Sequence, residues 1–319
     1  MKKVKFLLLV LFFKGKLLTG NTSFVEAVPI EFDPDQIELL KEDAPFKEIR
    51  LLEKPVLWIL GQNFLWRFTI EKKELEQIKF GQELFQSFEI QSVLQDKNTL
   101  YLASDKNLFQ IVDDERLLFY SYKSLFENKT VTRVLQKDPL GFVHWVTNHG
   151  IQTINPLTKE VSHIKELSLS EEPFFYALEQ NKFFFLRNNH VLEKRTSHKK
   201  EKLLLDAKEK LSFIDSDDSF LYVFSLKSLF IFDVEGAFVQ KIPIKDMHNL
   251  VAAKVTKKVD AYFFKDQILE VHNKEKKKSH HYSLTSLKQE KIISFDINQK
   301  YLVTRSKKNI ALFRLENGL

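Results

Sequence analysis

The sequence predicts an all-β fold assembled from one repeated four-stranded antiparallel unit, and three observations carry that prediction. The first is composition. Of 319 residues 30 are Phe, and 44% are apolar; aromatic and β-branched side chains favour strands. An apolar share this large supports a sizeable core and argues against global disorder. The second is a hairpin that recurs along the chain, and the third is a pair of strand-like runs that flanks each copy of it.

The hairpin is clearest in "NTLYLASDKNLFQIVDDE", Asn98 to Glu115, where two apolar runs enclose the polar turn Ser104 to Asn107. That turn is expected to be the exposed part of the hairpin. Further copies begin at Val56, Gly141, Lys182, Ser219, Asp260 and Lys300. The aligned positions Leu57, Leu100, Phe142, Phe183, Phe220, Ala261 and Tyr301 are spaced by 43, 42, 41, 37, 41 and 40 residues. An interval this constant marks repeated modules of one architecture. Around the example lie Phe88 to Asp96 and Arg116 to Tyr122, and equivalent runs begin at Thr130, Glu160, Glu201, Phe238 and Glu290. With only 8 Gly and 8 Pro in the chain, the turns must rely on Asn, Asp, Ser and Lys.

Four antiparallel strands in about 40–45 residues are the mark of a propeller blade. On these seven units the chain resembles the seven-bladed β-propeller superfamily over roughly residues 28–319. The Gly-His and Trp-Asp dipeptides of WD repeats, the kelch double glycine and the Asp-box are absent, so no subfamily's functional residues transfer. The resemblance implies blades from about residue 47 to 319, with each hairpin as the middle strand pair of a blade. Trp66, Trp145 and Tyr222 are then expected in the core between blades.

The last unit ends after its third strand, Ile310 to Leu315, while "VPIEFD", Val28 to Asp33, has no partner in the first unit. Val28 to Asp33 is therefore expected to supply the outer strand of the last blade and close the ring. Pro29 suits an outer edge, where a missing N–H faces solvent. Asp33-Pro34 reads as a helix start, so residues 34–46 are expected to form a linker with a short helix. Ahead of this, Lys2, Lys3 and Lys5 precede the apolar run Phe6 to Phe13, and Val25 and Ala27 give a small-residue pattern. Residues 1–27 read as a secretory signal cut before Val28, the apolar run being too short to span a bilayer. The protein is accordingly expected in the periplasm or secreted. Of the net charge of +6, residues 1–27 hold +4, so the remainder gives no reason to expect a nucleic-acid partner.

Cysteine is absent, which excludes disulfides, thiolate nucleophiles and Cys-ligated zinc. Phosphate-binding loops, G-x-S-x-G and calcium loops are also missing. No catalytic residue, cofactor or metal is assigned. His272, His280 and His281 lie in "EVHNKEKKKSHHY", read as a solvated turn because its lysines repel a cation. Turns between third and fourth strands share one face of a propeller, so Lys72, Lys73, Lys199, Lys200, Lys276, Lys277 and Lys278 are expected on one interaction rim. Asp113, Asp114 and Glu115 are its acidic exception. Glu89, Arg133, Asp215, Lys254 and Asp296 on the inner strands are expected to line the channel. The function expected is an exported, non-enzymatic propeller serving as a protein–protein interaction or scaffold module of the cell envelope. The alternatives are a hydrolase or lyase with a polar site in the channel, and a sugar- or small-ligand-binding propeller. Fold alone does not choose among them.

Overall fold

Successive residues of a strand point to opposite faces of its sheet, and runs such as Val56–Leu60 and Phe220–Ser225 are largely apolar on both faces. Such sheets have to be covered on both sides. A computed structural model describes residues 24–315, apart from 53–54, 79–86, 113–117, 126–130, 139, 165–173, 180–181, 188–190 and 196–199. The later stretches outside the description are 204–210, 218, 226, 234, 244–249, 257–258, 265–267, 276–277 and 285–291.

The chain enters through β1 (Phe24–Glu26), β2 (Val28–Ile30) and α1 (Pro34–Glu42). Sheet one is β3 (Glu48–Leu51), β4 (Val56–Leu60), β5 (Leu65–Thr69) and β6 (Glu74–Gln77). Sheet two is β7 (Ile90–Asp96), β8 (Thr99–Ser104), β9 (Asn107–Val112) and β10 (Leu118–Lys123). Sheet three is β11 (Thr132–Lys137), β12 (Val143–Thr147), β13 (Ile151–Ile154) and β14 (Val161–Ile164). Sheet four is β15 (Phe174–Glu179), β16 (Lys182–Arg187), β17 (Val191–Arg195) and β18 (Lys200–Leu203). Sheet five is β19 (Leu211–Ser216), β20 (Phe220–Ser225), β21 (Ser228–Asp233) and β22 (Phe238–Pro243). Sheet six contains β23 (Leu250–Val255), β24 (Val259–Phe264), β25 (Ile268–Asn273) and β26 (Lys278–Ser283). Sheet seven contains β27 (Ser294–Ile297), β28 (Tyr301–Arg305) and β29 (Ile310–Arg314).

Within each sheet these strands pair in chain order and antiparallel. The first strands are neighbours from sheet to sheet, β3 beside β7 and so on to β27, which lies beside β3 again. Seven uniform four-stranded blades are expected from the sequence; six are found, and sheet six has five strands. The extra strand is β1, paired parallel to β26 with Phe24 opposite His281, Val25 opposite Tyr282 and Glu26 opposite Ser283. Its residues fall within the expected signal, and a three-residue strand carries no periodicity to reveal it.

The fourth strand of sheet seven is β2, antiparallel to β29 with Val28 opposite Arg314 and Ile30 opposite Leu312. Pro29 occupies this outer strand. The helix expected after Asp33 is α1, and Gln36 Oε1 accepts the Asp33 N–H at 3.1 Å as half of a capping box. Two contacts fasten α1 to sheet one: Gln36 Nε2 donates to the Lys73 carbonyl at 2.8 Å, and the Asp43 carboxylate accepts from Trp66 Nε1 at 2.8 Å and the Asn63 N–H at 2.7 Å.

The cores lie between sheets, and period-two alternation assigns side chains to them. Leu57 and Ile59 pack with Tyr301, Val303 and Leu312 of sheet seven, whereas Trp58 and Leu60 pack with Leu100, Leu102, Phe109 and Ile111 of sheet two. On β8 the intervening Tyr101 and Ala103 turn the other way, onto Leu135, Val143 and Trp145 of sheet three. Each large apolar side chain removed from water stabilises by about 1.5–3 kcal/mol. Trp66, Trp145 and Tyr222 are all buried in these inter-sheet cores.

Turns between second and third strands share a device that explains the scarcity of glycine. Ser104 Oγ accepts the N–H groups of Lys106 and Asn107 and donates to the Asn107 carbonyl. Thr147, Ser225 and Ser306 do the same for their own turns. Such hydroxyl-anchored turns replace the backbone freedom of glycine with side-chain hydrogen bonds. They also correct the expectation that Ser104 to Asn107 is exposed: Ser104 and Asp105 are buried.

Candidate functional site

A first strand at the centre of the ring has one edge with no ladder partner. Its N–H groups need acceptors, and polar side chains of the preceding sheet supply them. Glu48 Oε2 accepts the Val93 N–H of sheet two at 2.8 Å, and also the Ser92 hydroxyl at 2.7 Å. Gln91 Oε1 accepts the Thr132 N–H of sheet three at 2.5 Å. Asp215 Oδ2 accepts the Val255 N–H of sheet six at 2.6 Å, and Asp296 Oδ2 accepts the Leu51 N–H of sheet one at 2.8 Å. All four reach in the same sense, from one sheet to the next in chain order.

Cations complete this belt. Arg50 Nε lies 2.6 Å from Glu48 Oε1, and its Nη2 reaches the Leu135 carbonyl of sheet three at 3.3 Å. Burial works against the Arg50 charge, but the carboxylates of Glu48 and Asp296 outweigh it and hold the guanidinium above its ordinary value. Lys254 Nζ stands 3.9 Å from Asp296 Oδ1. Burial pushes Asp215 above the usual carboxylate range, against the opposing pull of Lys254 and the N–H groups of Val255 and Ser216.

Of the residues expected to line the channel, Asp215, Lys254 and Asp296 come together in this belt. The acids accept N–H groups of the neighbouring sheet's backbone. Glu89 lies outside β7, exposed, where its charge opposes the lowering of Lys47 that burial causes. Arg133 is in β11, and its side chain lies outside the described residues. Glu48, Arg50 and Gln91 were missed, although "EIR" at the start of β3 puts Glu48 and Arg50 two apart and therefore on one face.

A second charged assembly sits where sheets five and six meet. Lys274 Nζ lies 2.8 Å from Asp217 Oδ2 of sheet five, 2.8 Å from Asp260 Oδ1 and 2.8 Å from the Thr256 carbonyl. Tyr222 donates to Asp217 Oδ2 at 2.8 Å. Burial raises Asp260 to about 6, with Lys274 pulling the other way. Burial likewise raises the Tyr222 and Tyr262 phenols. On the same face Glu270 Oε1 lies 2.9 Å from His272 Nε2 and 3.4 Å from His281 Nε2, while His272 Nδ1 lies 2.6 Å from Ser279 Oγ. The reading of Glu270 to Tyr282 as one solvated turn is corrected: Glu270 and His272 belong to β25, and Ser279 to Tyr282 to β26. Lys274 is drawn inward by two acids, so it does not serve the rim. Among the described residues no group of three or more His, Cys, Asp or Glu is arranged to hold a metal ion.

On the expected lysine rim, Lys72 stands 3.9 Å from Glu74, and Lys73 occupies a left-handed turn position with φ 55°. Lys199, Lys276 and Lys277 lie outside the described residues, as do Asp113, Asp114 and Glu115. Lys200 and Lys278 open β18 and β26, and their side chains are not described.

The same end of the ring carries two prominent leucines, which composition alone does not single out. Leu157 is 91% exposed and Leu140 is 64% exposed. Leu157 sits in the turn from β13 to β14, where Asn155 Oδ1 accepts the N–H groups of Leu157 and Thr158. Leu140 sits in the turn from β11 to β12. There Asp138 Oδ1 accepts the Phe142 N–H, and its Oδ2 lies 3.0 Å from Nε2 of the fully buried His144. His144 Nδ1 in turn lies 2.9 Å from Thr153 Oγ1.

No family model matches the chain, and no curated protein matches it. Solved structures do. Virginiamycin B lyase from Staphylococcus aureus is 10% identical with a TM-score of 0.61, over 86% of this chain and 96% of that one. The Neurospora crassa Pan2 WD40 domain is 12% identical with a TM-score of 0.60, over 93% and 96%. YCF48 bound to D1 peptide is 10% identical with a TM-score of 0.65, over 95% and 98%. At these identities the likeness establishes an all-β propeller of four-stranded antiparallel blades, a fold these proteins put to different uses.

Proposed function

We propose that this chain is an exported, non-enzymatic propeller that binds another protein of the cell envelope. The binding face is the one formed by turns between first and second and between third and fourth strands. We count the five-stranded sheet six with the six four-stranded blades, giving a ring of seven. Export rests on the Lys2, Lys3 and Lys5 cluster ahead of the apolar run Phe6 to Phe13. The observation that carries the binding reading is the pair Leu140 and Leu157. One exposed leucine is ordinary on a protein surface. Two on neighbouring turns, each held by side-chain hydrogen bonds to its own backbone, offer apolar area that loses little freedom on binding. The acids and bases at the channel are engaged in holding one sheet to the next, which favours binding over channel chemistry. A neighbour of the same fold, YCF48, is described bound to a peptide.

The test is cross-linked affinity capture from the native envelope, comparing wild type, a Leu140→Asn/Leu157→Asn double variant, and Ile293→Asn at the opposite end of the ring. A specific partner band is expected with wild type and Ile293→Asn and lost with the double variant, whose melting is unchanged. A band that survives the double variant, or no band at all, refutes the reading.

A further inference from the structure

The geometry points to a strand-acceptor site along the outer edge of β26. The uncut chain fills this edge with its own Phe24 to Glu26 and seats Ala27 beside it. A chain cut before Val28 offers it to an extended segment of the partner protein, which adds as a parallel strand with a small residue at the Ala27 position. This inference deepens the envelope-binding reading and rests on it.

An outer strand exposes a row of N–H and C=O groups that another strand can complete. β26 is shown to accept one, because β1 pairs along it in parallel register. Pro243 and Pro29 blunt the outer strands of sheets five and seven; β26, "KSHHYS", and the outer strands of sheets one to four contain no proline, and among the described residues only β26 carries a further strand. The residue that follows β1 has a socket of its own. Ala27 is 2% exposed and packs in the core that includes Tyr282 and Leu284 of sheet six and Phe313 and Leu315 of sheet seven. Removing it leaves a methyl-sized gap where two sheets meet.

The expected cut falls at this junction. A cut before Val28 would detach β1 and Ala27 while leaving β2 paired to β29 in sheet seven. The ring stays closed and the β26 edge is vacated. A strand of three residues has few ladder bonds to lose, so it suits exchange. Strand addition of this kind draws affinity from main-chain hydrogen bonds and specificity from side-chain pockets.

The test starts from the full chain with a site-specific protease sequence inserted between Ala27 and Val28, folded intact and then cut. The probe is a fluorescent peptide spanning Gly20 to Ala27. Saturable binding is expected on the cut chain, with at least tenfold weaker binding on the uncut chain and for a peptide carrying Ala27→Phe. No saturable binding to the cut chain, or equal binding of both peptides, overturns the proposal. A second measurement uses the absence of native cysteine. In the uncut chain a Glu26→Cys/Ser283→Cys pair is expected to oxidise to a disulfide, and a misregistered Phe24→Cys/Ser283→Cys pair is not. Failure of the matched pair overturns the acceptor site but leaves the Leu140 and Leu157 reading intact. Loss of that reading with peptide binding retained separates the two the other way.

Discussion

Replacing Asp296 by Ala tests whether the acids of the inner strands hold the ring together. Asp296 Oδ2 accepts the Leu51 N–H at 2.8 Å across the junction of sheets seven and one. Leu51 is buried, so without Asp296 its N–H is left with no acceptor. A hydrogen bond to a charged group contributes about 1.5–3 kcal/mol net, and an orphaned buried donor costs about 1–3 kcal/mol. The Lys254 contact at 3.9 Å is partly exposed and adds about 0–1 kcal/mol. Asp296→Ala is therefore expected to destabilise by about 2–3 kcal/mol. Asp296→Asn, which keeps an oxygen acceptor without the charge, is expected to cost about 1 kcal/mol. Urea unfolding measures both, read as a lower midpoint at unchanged slope. Amide exchange followed by mass spectrometry is expected to show lost protection in the segment containing Leu51 for the Ala variant alone. If the Ala and Asn variants are equally stable and that segment exchanges as in wild type, Asp296 is only a channel-wall residue and the belt argument is wrong.

Two further expectations follow from other places in the fold. A Cβ added to Gly61 would lie 1.8 Å from Asp43 Oδ2, so Gly61→Ala is expected to expel the carboxylate that Trp66 and Asn63 hold, at a cost of about 3 kcal/mol. Its melting temperature against that of Asp43→Asn checks this; an unchanged value refutes it. Asp260, raised to about 6 by burial, holds its proton in the folded chain at pH values where the unfolded chain has lost it. That preference favours the fold fully below the ordinary Asp value of about 4 and is lost as pH rises to about 6, a decline of roughly 2–3 kcal/mol. Denaturant unfolding across that window is expected to show the decline in wild type and not in Asp260→Asn; parallel profiles refute it.

Much of the fold is legible in the sequence because it is written in local terms. A repeat interval of 37 to 43 residues, apolar alternation within each hairpin, and an unpaired strand at Val28 are properties of nearby residues. They led to repeated four-stranded sheets and to the pairing of β2 with β29. The candidate site was much less legible. Asp215, Lys254 and Asp296 are legible as polar residues on inner strands, but the groups they hold are not. Which N–H each acid meets depends on the neighbouring sheet, some 40 residues away from Asp215 and 245 away from Asp296. The leucines at 140 and 157 look like any others until exposure is measured, and the meeting of Glu270, His272, Ser279 and His281 needs the register of β25 on β26.

The amino-acid sequence by itself determined the class of fold, the repeating unit and the joining of the two ends of the ring, because strand periodicity and turn chemistry act over a few residues. Only the tertiary structure decided that one sheet takes a fifth, parallel strand, that the channel acids serve the backbone of the next sheet, and which apolar side chains remain in water. Those outcomes are set by unpaired edges and packing between distant segments, for which no local pattern is required.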